Sequence, residues 1–192
     1  HYDKPANLVG ASLGGMTSLS LAGDPNYSSL CKTLTMVDIG IYPNQDGSDR
    51  IVEFMRSAEK GFSSLEEAAD YISDFLPHRE KPKDLSGLHK NLRKKADRFY
   101  WHWDPKFLQG RQGQDIKDYF GHLEEAANFL NIPTLLIRGG LSDALTEEDK
   151  DYFLKVVSHA EFEEISNAAH MVAGDKNDIF SKAVEKFLVK NN

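Results

Sequence analysis

With a single cysteine in 192 residues, the chain can close no internal disulfide, and it carries neither a CxxC pair nor a Cys/His cluster spaced for a metal. No metal and no cofactor are therefore expected, and the lone Cys31 fits a reducing, cytoplasmic setting. No apolar run approaches the roughly 20 residues of a membrane-spanning helix, so no membrane segment is expected. No basic stretch followed by an apolar one marks a signal peptide. Positive charge is the minority sign: 23 Lys and Arg against 30 Asp and Glu leave a net charge of −7. A nucleic acid would thus need a local basic patch, and the only dense one, Arg93-Lys94-Lys95 with Arg98, reads as the solvated face of a helix over about 85–99. No nucleic-acid partner is expected. At 40% hydrophobic and 28% charged, the composition is that of an ordinary globular domain.

What the chain does have starts near its beginning. Asn7-Leu8-Val9 reads as the end of a buried strand and breaks into Gly10-Ala11-Ser12-Leu13-Gly14, the G-x-S-x-G pattern. A serine on a sharp strand-to-helix turn needs small neighbours at minus two and plus two, here Gly10 and Gly14, so that the chains can pass closely. The same turn aims the Leu13 N–H at the place where an oxyanion would form, and the helix that follows turns its positive end to that place. Met16 to Ala22 supplies this helix, stopped by Gly23 and Asp24-Pro25.

Further along, Thr33 to Ile39 is a second β-rich run. From Asp46 to Asn131 the texture becomes helical: Ser63 and Ser64 open overlapping capping boxes, and further helices are expected over about 85–99 and 115–129. Strand character returns at Thr134 to Arg138. A helix begins at Thr146 with acids in its first turn, a strand covers Glu161 to Ile165, and an amphipathic helix covers about 178–189. Strands alternating with helices predict an α/β fold, with a mostly parallel sheet flanked by helices.

A serine hydroxyl attacks only when a base takes its proton, and the base must itself be oriented by an acceptor. His170 follows the strand ending at Ile165, whereas the remaining histidines fall on polar helices or loops. Two acids stand at strand ends: Asp143, in a loop five residues past the strand ending at Arg138, and Asp38, at the end of the second run. Asp143 is favoured because its loop is free to approach His170, and Asp38 is the alternative. The order Ser12, Asp143, His170, together with the Ser12 turn, resembles the α/β-hydrolase superfamily, in its capped, serine-nucleophile branch.

That resemblance implies an α/β-hydrolase core over 1–45 and 132–192, with a helical cap inserted over 46–131. It also implies that the four strands correspond to strands five to eight of an eight-stranded sheet. The chain would then be an N-terminally incomplete member, lacking the loop that completes the oxyanion hole. An uncovered sheet edge would invite homodimerisation. The implied activity is hydrolysis of a small apolar carboxylic ester through an acyl-enzyme on Ser12. A C–C hydrolase, a cofactor-free perhydrolase, a catalytically impaired fragment and a non-catalytic binding module on the same scaffold remain alternatives. Trp101, Trp103 and Met171 are candidate pocket residues; for the two tryptophans a place in the insertion's own core is an equal alternative.

Overall fold

A computed structural model describes residues 4–109 and 116–191. Its elements run β1 (Ala6–Ala11), α1 (Leu13–Ala22), β2 (Cys31–Val37), α2 (Gln45–Ser57), α3 (Leu65–Phe75), β3 (Leu92–Lys95), β4 (Arg98–Trp101), α4 (Ile116–Phe129), β5 (Thr134–Gly139), α5 (Glu147–Val156), β6 (Glu161–Ile165), α6 (Val172–Asp175) and α7 (Asn177–Lys190). The chain divides into two compact units, one formed by residues 1–48 and 114–192, the other by 49–113.

The first unit is built on a four-stranded, all-parallel sheet in the order β1-β2-β5-β6. The central strands β2 and β5 are almost wholly buried, as a parallel strand covered on both faces must be. Period-two alternation divides their side chains between two cores. Leu34, Met36 and Leu136 join Met16 and Leu19 of α1, Leu123 of α4 and Phe153 of α5, whereas Val37, Leu135 and Ile137 join Ile165 and Phe187 of α7. β1 was expected to be buried, but it borders the sheet and has no partner strand on its outer edge among the described residues. Val9 is accordingly 47% exposed.

Local chemistry sets several element boundaries. Thr146 caps α5 by accepting the Asp149 N–H at 3.2 Å, while the Asp149 carboxylate accepts the Thr146 N–H at 3.1 Å, a reciprocal capping box. Ser64 caps α3 in the same sense, its hydroxyl accepting the Glu67 N–H.

Two expectations for the 46–131 segment change. First, the helix expected over about 115–129 belongs to the sheet unit: Phe120, Leu123, Ala126 and Ala127 lie in the first core. The Ala126 carbonyl also stands 2.1 Å from where a Cβ on Gly23 would fall, an approach that only glycine allows. Glu124 of α4 accepts hydrogen bonds from the hydroxyls of both Tyr42 and Tyr152, and burial, then Glu124, push the Tyr42 hydroxyl up to about 12. Asp115, where this helix was expected to begin, lies outside the described residues.

Second, the basic run is not the face of a helix. Arg93, Lys94 and Lys95 lie on β3, paired antiparallel with β4 through a two-residue turn in which Ala96 has φ 54°. The aromatic run Phe99-Tyr100-Trp101 is the reason: such residues favour a half-buried pleated surface, and Lys94 and Lys95 lie over the Phe99 and Tyr100 rings. The second unit thus combines helices and a hairpin around Ala58, Phe62, Ala68 and Leu92.

Leu136 is fully buried at the centre of the sheet, so Leu136→Ala is expected to lower the unfolding free energy by about 2–5 kcal/mol in urea titration. Val189→Ala, at a position 69% exposed, is expected to change it by less than about 0.5 kcal/mol. Equal losses would contradict the assignment of the core.

Candidate active site

Four segments meet at the carboxyl ends of the strands. Each strand hands its chain on by one more ladder bond: Ser12 N–H donates to Val37 O at 3.0 Å, Asp38 N–H to Ile137 O at 2.7 Å, and Gly140 N–H to Ile165 O at 3.0 Å. Ser12, Asp38 and Gly140 are therefore held at matching heights by the sheet itself. The loop after β6 is pinned to the turn after β5 by the Leu141 N–H, which donates to Ala168 O at 2.8 Å. A Cβ on Gly139 would stand 2.4 Å from Ala169 O, so glycine is what lets these two segments pass.

Backbone strain concentrates on the same edge. Four non-glycine residues have positive φ among the described residues, and three of them, Ser12 (50°), Asp38 (55°) and Asn167 (58°), follow β1, β2 and β6. Such conformations cost on the order of 1–3 kcal/mol each and persist where surrounding structure over-determines them. Ser12, with ψ −120°, lies outside even the left-handed helical well that aspartate and asparagine tolerate.

The Ser12 turn has the expected form with one change. A Cβ on Gly10 would fall 2.3 Å from Gly14 O, so minus two must be small, but a Cβ on Gly14 would meet nothing within 4 Å. The second tight position is Gly15, whose added Cβ would lie 2.6 Å from the Ile39 side chain and 2.9 Å from Gly10 O. The Leu13 N–H lies in the first turn of α1, where backbone donors have no acceptor within the helix.

The structure places the two candidate acids differently from the sequence-based preference. His170 Nδ1 lies 2.8 Å from Asp38 Oδ2, and Asp143 is not its partner. Asp38 is fully buried and His170 16% exposed at its side chain. A carboxylate only accepts, so Nδ1 carries the proton and, in the neutral ring, Nε2 is left as the acceptor. Asp143 sits half-buried one residue beyond a turn whose Ser142 hydroxyl donates to Asp38. Asp38 prevails because the ladder bond after β2 delivers it to the strand ends, where the loop after β6 brings His170. Ser12 Oγ makes no hydrogen bond to His170 among the described residues; the Ser12 N–H is held by Val37 O at the end of β2, and the next residue, Asp38, holds His170.

Met171, beside His170, is 52% exposed. Trp101 and Trp103 stack at 4.8 Å between ring centroids in the second unit, where Trp101 also meets Phe54 and Phe62 and packs on that unit's core. Sequence reasoning missed Gly15, Gly139 and Ser142. For the two glycines a G-G doublet was the only signal, and for Ser142 there was none.

Among the described residues no group of three His, Cys, Asp or Glu side chains is placed to hold a metal, and no helix is long and apolar enough to cross a membrane. No protein-family model matches the chain. Over 147 residues it is 27% identical to Esterase Rv0045c of Mycobacterium tuberculosis, a match covering 74% of this chain and 46% of that protein. The chain thus spans about half the length of the curated relative it matches. The crystal structure of the same esterase superposes with a TM-score of 0.73 at 26% identity, covering 95% of this chain and 60% of that one. E-2-(acetamidomethylene)succinate hydrolase superposes with a TM-score of 0.80 at 17% identity, covering 97% and 67%. An alpha/beta hydrolase from Novosphingobium aromaticivorans gives 0.73 at 18%, covering 96% and 65%. With its parallel sheet, its strained turn at Ser12 and these structural neighbours, the chain has the fold of the α/β hydrolases.

Proposed function

We propose that this chain carries the catalytic residues of a serine hydrolase acting on a small apolar carboxylic ester, with Ser12 as nucleophile, His170 as base and Asp38 as the acid that orients it. The observation that carries the reading is the 2.8 Å bond from His170 Nδ1 to the fully buried Asp38, at the strand end that also holds the strained Ser12 turn. The similarity to an esterase supports the substrate class. Because the chain spans about half of that relative, the activity belongs to the proposal.

In the proposed reaction, His170 Nε2 takes the Ser12 hydroxyl proton as Oγ attacks the ester carbonyl carbon. The Leu13 N–H donates to the resulting oxyanion, helped by the positive end of α1. Collapse of the tetrahedral adduct breaks the bond to the alkoxy oxygen, which leaves as the alcohol with the proton held by His170. A water then gives its proton to His170 and attacks the acyl carbon. Release of the acid returns the proton to Ser12. Asp38 keeps Nδ1 protonated, and so Nε2 basic, throughout.

A fluorophosphonate probe is expected to label the protein in a Ser12-dependent way, with labelling abolished in Ser12→Ala. Absence of labelling on the folded protein would count against a live nucleophile. Asp38→Asn is expected to lower ester turnover by about 10³–10⁴-fold, the scale set by loss of the acid in a serine protease triad. Asp143→Asn is expected to leave turnover within a few-fold of the parent. The opposite pattern would return the acid to Asp143.

A further inference from the structure

The turn after β5, where the acid was sought, has another use. Residues 139–142 form a tight turn closed by the Ser142 N–H, which donates to Gly139 O at 2.9 Å. From this one turn two donors reach the two oxygens of one carboxylate: the Gly139 N–H donates to Asp38 Oδ1 at 2.8 Å, and the Ser142 hydroxyl donates to Asp38 Oδ2. Ser142 is 8% exposed, and its Oγ also accepts the Ala144 N–H at 3.1 Å, which leaves its own proton directed at Asp38. Oδ2 is the same oxygen that His170 Nδ1 engages.

We propose that Ser142 is a positioning residue for His170, acting through Asp38: its hydroxyl fixes the rotation of the carboxylate and shares the charge on Oδ2, which sets how strongly Asp38 holds the protonated imidazole. The proposal rests on the assignment of Asp38 and His170 given above. With Gly139 on Oδ1 and only the imidazole on Oδ2, the carboxylate could turn about Cβ–Cγ together with the ring; the Ser142 hydroxyl gives Oδ2 an anchor independent of His170. With both oxygens held, the carboxylate presents one geometry to the imidazole, as a buried group sharing donors should.

The sign of the effect follows from the shared oxygen. A donor on Oδ2 draws off negative charge that would otherwise stabilise the imidazolium, so removing it raises the pH at which His170 loses its proton. Other charged groups nearby have their own contacts: Arg138 donates to Leu145 O and pairs with Glu164 and Glu147, and Asp175 accepts the Ala169 N–H. Asp143, next to Ser142 in the chain, serves as a control position.

The test is an NMR titration of the His170 imidazole in the parent protein, in Ser142→Ala and in Ser142→Thr, alongside the pH dependence of fluorophosphonate labelling at Ser12. In Ser142→Ala the midpoint is expected to move upward. Ser142→Thr, which keeps the hydroxyl, is expected to restore the parent value. Should the alanine variant not fold, Ser142→Cys, of similar shape but a weaker donor, is expected to move it the same way by less. A midpoint unchanged, or displaced downward, overturns the proposal. If the titration moves as expected but Ser12 is never labelled, the Ser142–Asp38–His170 arrangement stands and the hydrolase reading fails. If labelling occurs and the titration is unmoved, the reverse holds.

Discussion

A carboxylate with no exposure to solvent is the constraint around which the sheet edge is arranged. Asp38 is fully buried, and an uncompensated charge in such a place costs several kcal/mol. It is met by three donors from two segments: the Gly139 N–H and the Ser142 hydroxyl of the turn after β5, and His170 in the loop after β6. None of these donors is local in sequence, the nearest being 101 residues away. The acid can sit there only if β2, β5 and β6 are already in register. The pairings of Val37 with Ile137 and of Gly139 with Ile165 fix that register at the site. A one-residue slip would turn Asp38 to the other face and leave it with no partner.

Register in turn depends on the two cores. Alternate residues of β2 and β5 enter opposite clusters, so both faces of the sheet reject a slip. The same packing supports the strained backbone at Ser12, Asp38 and Asn167, which the local sequence alone would not hold. Gly10 and Gly15 let α1 lie against β1 and the segment after β2, and Gly139 lets the loop after β6 cross the end of β5. Packing in the middle of the sheet thus supports the strained backbone at its carboxyl edge.

Much of this was legible in the sequence because it is local. Most of the Ser12 turn is written in Gly10 to Gly14, with Gly15 just beyond; Thr146 and Asp149 announce α5 through their spacing; and Glu161 to Ile165 is a strand at its expected limits. The choice between Asp38 and Asp143 was not legible, because both stand at strand ends and only the ladder bond after β2 and the crossing at Gly139 decide which carboxylate meets His170. The flexibility of the Asp143 loop does not decide which carboxylate meets His170; the sheet delivers Asp38 to it. The hairpin at 92–101 was hidden for a different reason. Its basic residues resemble a solvated helix face, and only pairing with an aromatic strand makes them one side of a ribbon. The helix at Ile116–Phe129 was assigned to the insertion by position, whereas its apolar face belongs to the sheet.

The central claim is that Asp38 holds the Nδ1 proton of His170. Proton NMR in the far-downfield region reads such a proton directly, since a hydrogen bond to a carboxylate both deshields it and slows its exchange. The account predicts a His170 Nδ1–H resonance there in the parent protein and in Asp143→Asn, and its loss in Asp38→Asn. A resonance that survives in Asp38→Asn and disappears in Asp143→Asn would contradict it.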